Sequence, residues 1–230
     1  MIDFHSHILP NIDDGCKSVA ESVKALELLY QSGVRKVMLT PHYYIEKESI
    51  DEFLLRREKS YTILKEAVDK SQSLLPEICL GAEVKFFYGI SQMPDIKKLC
   101  YENSKCILLE LPFEKWNLSI YNEVRNLQGR QGIIVLIAHF NRYIPFGNSF
   151  KEIISLGCPL QLNGEVFEKK IGKRKWLKYM WEEDVVLGSH CHNLSTRKPN
   201  IDKVLLAVSD KYREAFMCKT DNIGDMLLNT

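Results

Sequence analysis

The sequence predicts an α/β fold in which parallel strands and helices alternate around a closed or nearly closed barrel whose one rim carries the chemistry. Three observations lead there. Seven short, apolar, β-rich runs are separated by helix-like stretches along the chain. All six histidines and two isolated glutamates follow or end those runs. A length of 230 residues is one that a single α/β barrel absorbs without a domain boundary. An open doubly wound sheet is the second arrangement compatible with this alternation.

The first strand, residues 2–4, leads into His5 and His7. Residues 19–31, closed by Gly33, read as the first helix, because apolar positions recur at helical spacing and the glycine stops them. The second strand, 36–39, runs into His42 and a mobile loop over 43–49, and the charged segment 49–70 forms the second helix. The third strand, 77–80, precedes Glu83, and the fourth, 106–111, contains Glu110. After a helix at 118–128, the fifth strand, 133–137, delivers His139 and Arg142. A helix at 150–155, the sixth strand at 159–162 and a helix over 167–183 follow. The seventh strand, 184–187, ends at His190, Cys191 and His192, with Arg197 close behind. A last helix over 204–216 carries no motif, and no repeat, linker or low-complexity tract divides the chain, so residues 1–230 read as one domain.

Composition excludes several classes. With 31 basic against 30 acidic side chains, no net field attracts nucleic acid or an anionic membrane, and the basic cluster at 169–175 reads as a solvated helix face. Seven cysteines, odd in number and without a CxxC pair, indicate neither a disulfide framework nor a zinc ribbon, which fits a reducing cytoplasm. No leader-like segment opens the chain, and no run reaches the roughly 18 apolar residues of a membrane span.

The histidines and glutamates read as metal ligands. His5 and His7 lie two apart, which in an extended segment puts both rings on one side and Ser6 on the other. Glu83 and Glu110 end apolar strands, where an unneutralised charge costs several kcal/mol. A salt bridge to Lys or Arg is the plain structural role for each. Asp13 and Asp14 suit a turn or helix cap, and one of them suits a metal. A mixed nitrogen and carboxylate set favours Mn²⁺, Fe or Zn²⁺ over Ca²⁺ or Mg²⁺, and nine candidates are too many for one ion. Two or three ions sharing carboxylates would hold a hydroxide nucleophile and clamp phosphoryl oxygens, so phosphate-ester hydrolysis is the natural reaction. Arg142 and Arg197 would each present a guanidinium fork to the phosphate.

The ordered series MIDFHSHILPNIDDG, LTPH, GAEV, LELP, IAHFNRY and SHCHNLSTR resembles the PHP (polymerase and histidinol phosphatase) superfamily. It is most similar to the metal-dependent protein-tyrosine phosphatases of bacterial capsule and exopolysaccharide clusters. The resemblance implies a distorted (β/α)7 barrel, with His5, His7 and Glu83 on one ion, Glu83, Glu110 and His139 on a second, and Asp14, His42 and His192 on a third. It further implies manganese as the metal, Arg142 and Arg197 as phosphate binders, and a phosphotyrosyl tyrosine autokinase as substrate. Two segments depart from the family's IAHPERY and SDAHN, reading IAHFNRY and SHCHN here. His190 thus replaces an Asp ligand with a nitrogen one and removes a negative charge.

The same substitution creates H-C-x5-R across His190, Cys191 and Arg197, the pattern of cysteine-dependent tyrosine phosphatases, with Cys191 as the nucleophile in place of metal-bound hydroxide. The intervening HNLST lacks the glycine that such a phosphate cradle commonly uses, and an extended segment turns Cys191 away from both histidines. A histidinol-phosphate-type small-molecule phosphatase, and a catalytically impaired, metal-stabilised binding protein, are also compatible with these motifs.

Overall fold

In the computed structural model, nine strands and seven α-helices alternate among the described residues, 1–169 and 171–230. They run β1 (Ile2–Ser6), α1 (Val19–Gln31), β2 (Lys36–Leu39), β3 (His42–Tyr43), α2 (Ile50–Lys70), β4 (Glu77–Leu80), β5 (Glu83–Lys85), β6 (Cys106–Glu110) and α3 (Leu118–Gln131). They continue as β7 (Ile134–Ile137), α4 (Phe150–Ile154), β8 (Leu160–Asn163), α5 (Lys173–Glu182), β9 (Val185–Gly188), α6 (Ile201–Ala207) and α7 (Asp210–Leu228). Among the described residues, no helix is long and apolar enough to cross a membrane.

Local chemistry sets the helix ends. Ser18 and Asn117 cap α1 and α3 through side-chain oxygens that accept first-turn N–H groups. Ser49 with Glu52 and Ser149 with Glu152 form reciprocal capping boxes for α2 and α4. Gly132 ends α3 in the left-handed region at φ 63°.

All strand pairs are parallel, in a three-stranded sheet ordered β1-β2-β4 and a six-stranded sheet ordered β3-β5-β6-β7-β8-β9. Past the end of β9 the chain returns to β1: the His190 N–H donates to the His5 carbonyl (2.7 Å) and the His7 N–H to the Cys191 carbonyl (2.8 Å). Parallel strands need helical crossovers, and the alternation read from the sequence supplies them.

Two interlocking apolar clusters form the core. Phe4, Met38, Cys106, Leu108, Leu136, Ala138 and Val186 pack with Tyr101, whose hydroxyl donates to the Phe4 carbonyl at 2.7 Å. Opposite strand faces, such as Ile107, Leu109, Val135 and Ile137, join a second cluster with Leu26, Leu29, Ile120, Val124 and Leu127 of α1 and α3. Each fully buried aliphatic contributes about 1.5–3 kcal/mol.

The seven anticipated strands are present, and the differences fall at their ends. β1 extends to Ser6, so His5 lies within it. Beyond the breaks at Thr40-Pro41 and Gly81-Ala82, β3 and β5 are two additional strands that pair with each other. Tyr43 is therefore a fully buried strand residue, edge-on to Phe53, rather than part of a loop. The helix placed at 167–183 starts only at Lys173, because Gly172 holds φ 94° and Gly164–Phe167 form a 3₁₀ turn. Within the 169–175 cluster, Lys169, Arg174 and Lys175 are exposed, whereas Lys170 lies outside the described residues. The single C-terminal helix is two, α6 and α7. α7 buries Phe216, Ile223 and Leu227, and Gly224 lets it approach Ile2 and Phe4 of β1.

Candidate metal centre

The nine residues read as ligands come together in three overlapping groups: His5, His7, Glu83 and His190; His7, Asp14, His42 and His192; and Glu83, Glu110 and His139. Within each group, one ligand atom per residue lies within 4.8 Å of the others. Strand geometry brings them there. His5 and His7 project on one side of β1, while the Ser6 hydroxyl donates to the Met38 carbonyl (2.9 Å) on the other. The β3–β5 register sets His42 opposite Glu83. Glu110 ends β6, His139 follows β7, and β9 leads to His190 and His192. His139 and His190 occupy the left-handed region at φ 31° and 50°, a conformation costly for side-chain-bearing residues and held here by the surrounding packing.

Two hydrogen bonds decide the tautomers of the first pair. His7 Nδ1 lies 2.8 Å from Asp13 Oδ2, and His5 Nδ1 lies 2.9 Å from Gln161 Oε1. Both oxygens accept, so both Nδ1 atoms carry protons and each neutral ring keeps its lone pair on Nε2. Those Nε2 atoms face one another at 3.1 Å and stand 3.1 and 3.2 Å from Glu83 Oε2. His42 Nδ1 is 3.0 Å from the same oxygen. Lone pairs this close repel unless a cation lies among them. Glu83 Oε2 and His42 Nδ1 are buried without an aligned hydrogen-bond partner, as expected of ligand atoms that face cations. The donor set fits a divalent ion of the Mn²⁺, Fe or Zn²⁺ type.

A proton is the weaker substitute. Burial opposes charge on His7, but the Asp13 and Glu83 carboxylates outweigh it and lift its pKa to about 10. Burial works against the Glu83 anion too, yet His5, His139 and His42 hold that carboxyl well below the usual range. His139, buried but flanked by Glu110 and Glu83, is raised. His5 is lowered by burial, and His190 is lowered strongly by burial and by its neighbour His5. Burial, with the His7 and Arg197 charges, also holds His192 far below the imidazole range. Among the described residues neither glutamate has a Lys or Arg partner within salt-bridge distance; both face histidine instead.

Both arginines stand at the rim, but not free. Arg142 Nε and Nη2 donate to Glu165 at 3.3 Å each. Arg197 Nη2 donates to Asp14 Oδ2 at 2.6 Å and Nη1 meets His192 Nε2 at 2.8 Å. A cleft of about 470 Å³ on the Asp14 and His42 side of the centre is lined by residues including Tyr44, Lys47 and Arg56. Tyr44 stacks on His42, with ring centroids 5.2 Å apart. Cys191 is fully buried, its thiol pKa pushed well up by desolvation and its Sγ directed at the Asn193 carbonyl. That is the opposite of the depressed pKa a cysteine nucleophile needs, and Arg197 is turned to Asp14 rather than to the thiol.

Three residues around the centre went unread in the sequence, and a fourth, Asp13, was read only as a turn former, helix cap or metal ligand. Asp13 orients His7 and also accepts from the His42 and Gly15 N–H groups. The NIDDG turn offered adjacent carboxylates without distinguishing their roles. Gln161 and Asn163, alternate buried residues of β8, and Glu165 after it form a polar line in an otherwise apolar run. Two amides facing one way from a buried strand were the available signal.

Comparison with known proteins agrees with this geometry. The tyrosine-protein phosphatase CpsB of Streptococcus pneumoniae is 32% identical over 233 residues, covering 92% of this chain and 91% of that protein. CpsB of Streptococcus agalactiae is 30% identical over 212 residues, covering 86% of each. The crystal structures of YwqE from Bacillus subtilis and CpsB from S. pneumoniae, described as unique metal-dependent tyrosine phosphatases, include a match with a TM-score of 0.78 at 23% identity. That match covers all of this chain and 95% of the other, so the fold is shared. The family profile described as "Capsular polysaccharide synthesis, CpsB/CapC" matches residues 1–226, and the chain belongs to that family.

Proposed function

We propose that this chain is a metal-dependent phosphatase acting on protein phosphotyrosine. The observation that carries the reading is the convergence of nine imidazole and carboxylate side chains in three groups sharing His7 and Glu83, with two arginines nearby. The names of the relatives supply the substrate class.

In this reading His5, His7 and Glu83 would hold a first ion, and Glu83, Glu110 and His139 a second. Asp14, His42 and His192 would hold a third, and the mixed imidazole and carboxylate set fits manganese, iron or zinc, manganese being the metal the family resemblance implies. Bound ions would supply Lewis-acid charge that polarises a phosphoryl group and lowers the pKa of water.

The chain's own groups do the rest. Asp13 and Gln161 hold the His7 and His5 rings with Nε2 inward, so neither ring has to turn when an ion displaces the His7 proton. Arg142 and Arg197 exchange Glu165 and Asp14 for phosphate oxygens, a like-for-like trade of one anion for another. Tyr44 and the cleft beside His42 receive the aromatic ring. A tyrosyl oxygen, with a pKa of about 10, leaves more readily than an alkyl alcohol and asks less of a general acid.

The returning hydrogen bonds between β1 and the end of β9 support a distorted (β/α)7 barrel, and continuous packing supports one domain over residues 1–230. The substrate is assigned to a phosphotyrosyl tyrosine autokinase of polysaccharide synthesis, acting in the cytoplasm. Turnover of phosphotyrosyl peptides compared with histidinol phosphate tests the substrate class: a higher kcat/KM on the peptide is expected, and preference for histidinol phosphate would overturn it.

A further inference from the structure

The family resemblance implies an aspartate ligand where this chain has His190, and the hydrogen bonds of His190 give it a different chemistry. The chain of contacts starts from a group whose polarity is certain. The backbone N–H of His139 can only donate, and it lies 2.7 Å from Gln161 Oε1. Gln161 is therefore oriented with its oxygen toward His139 and His5 and its amide nitrogen away from them. That Nε2 donates to Asn163 Oδ1 at 3.0 Å, which turns the Asn163 amide nitrogen toward His190.

Asn163 Nδ2 then meets His190 Nδ1 at 3.1 Å and Glu165 Oε1 at 3.4 Å, one acceptor for each of its protons. The carboxylate confirms the amide's orientation independently, because an oxygen there would face an oxygen. A nitrogen that accepts must carry the lone pair, so the neutral His190 ring bears its proton on Nε2. His5 and His190 are both buried and belong to the same ligand group, but the relay gives them opposite tautomers. Gly188 keeps the relay in place: a Cβ there would come within 2.5 Å of Gln161 Nε2 and 2.6 Å of His5 Cβ.

We propose that His190 is a fixed hydrogen-bond donor at the first ligand group and not a lone-pair ligand, the Gln161–Asn163 relay presenting its Nε2–H to an oxygen of a bound phosphoryl group. The first ion then has His5, His7 and Glu83, with a position left for an anionic oxygen. Replacing an aspartate by a donor both removes a negative charge that would repel phosphate and adds a bond to it. The phosphate half of this inference rests on the phosphatase reading; the tautomer half does not.

The test uses ¹⁵N-histidine-labelled full-length protein after chelation, then with Zn²⁺ as a diamagnetic probe. His190 should show a protonated Nε2 and bare Nδ1, His5 the reverse, and Zn²⁺ should shift His5 Nε2 while leaving His190 Nε2 protonated. A bare Nε2 on His190, or its deprotonation by Zn²⁺, would overturn the proposal. Calorimetry adds a second measurement. His190→Ala should keep Mn²⁺ affinity within about twofold and weaken inorganic phosphate binding to the Mn²⁺-loaded protein roughly tenfold or more. Asn163→Asp, whose carboxylate accepts from Nδ1–H and frees the Nε2 lone pair, should tighten Mn²⁺ binding. A tenfold loss of Mn²⁺ affinity in His190→Ala would make His190 a ligand. Absence of phosphotyrosine hydrolysis in a protein with the predicted tautomers would overturn the phosphatase reading and leave the relay standing.

Discussion

Glu83→Gln is the sharpest perturbation of the proposed centre. The carboxylate is 1% exposed, and its two oxygens lie 2.8 to 3.2 Å from nitrogens of His5, His7, His42 and His139. Gln has nearly the same volume, so packing is kept while the anion and one acceptor oxygen are lost. Glu83 belongs to two of the three ligand groups, Glu110 to one. Loss of even an outer partner of a metal ligand costs about 10–100-fold in affinity, and a direct ligand at least that. At about 1.4 kcal/mol per tenfold, Glu83→Gln should cost roughly 1.4–2.7 kcal/mol or more at each of two ions. Metal content after dialysis against dilute Mn²⁺, measured by mass spectrometry, should fall by the two ions that share Glu83. Glu110→Gln should lose one ion, and both variants should keep their circular dichroism. Wild-type metal content and affinity in Glu83→Gln would refute the bridging role.

The same geometry sets four further outcomes. His7 carries a proton below about pH 10 that an incoming ion must displace, so Mn²⁺ affinity should fall as pH drops, by about tenfold per unit for one proton. Calorimetry in buffers of different ionisation enthalpy would reveal that proton, and buffer-independent heats would contradict it. In chelated protein His5, His190 and His192 are held neutral by burial, so the unfolded chain binds more protons below about pH 6.5 and stability is lost as pH falls. His7 acts oppositely, its contribution full below about pH 6.5 and lost progressively as pH rises toward about 10, so urea midpoints should peak near pH 6.5; a flat profile would count against the assignments. Cys191→Ala should cost about 1 kcal/mol of stability and leave kcat within twofold, whereas abolished activity would restore the thiol as nucleophile. Gly188→Ala should displace Gln161 and His5, destabilise by about 1–3 kcal/mol and weaken metal binding; wild-type metal affinity would show the relay to be dispensable.

Much of this architecture was legible because strands ending in polar residues leave two overlapping signals, apolar runs and the ligands after them. β1, β2 and β6 to β9 each bury at least three consecutive residues, and β4 buries the alternate Ile78 and Leu80, which is enough to be visible. β3 and β5 have two and three residues, too short for any periodicity, and exist because neighbouring backbone is there to pair with. The split between α6 and α7 at Val208 and Ser209 has no glycine or proline to announce it. At the centre, residue type marked the ligands, but the partners that orient them depend on which side chains meet across strands. Asp13 and Asp14 are neighbours in sequence with different tasks, one bonded to His7 Nδ1 and one facing His42 and Arg197. Gln161 and Asn163 acquire meaning only when His139, His5 and His190 are seen around them.

Whether this rim of histidines and carboxylates hydrolyses phosphotyrosine through bound metal is decided by phosphate release from a phosphotyrosyl peptide. Purified protein is assayed before chelation, after it, and with Mn²⁺ restored. Chelation should abolish the activity and Mn²⁺ should return it, while Glu110→Ala and His139→Ala should lack it under all three conditions. Activity untouched by exhaustive chelation, or no activity under any condition, would contradict metal-dependent hydrolysis, the latter leaving a protein that binds phosphotyrosine without cleaving it.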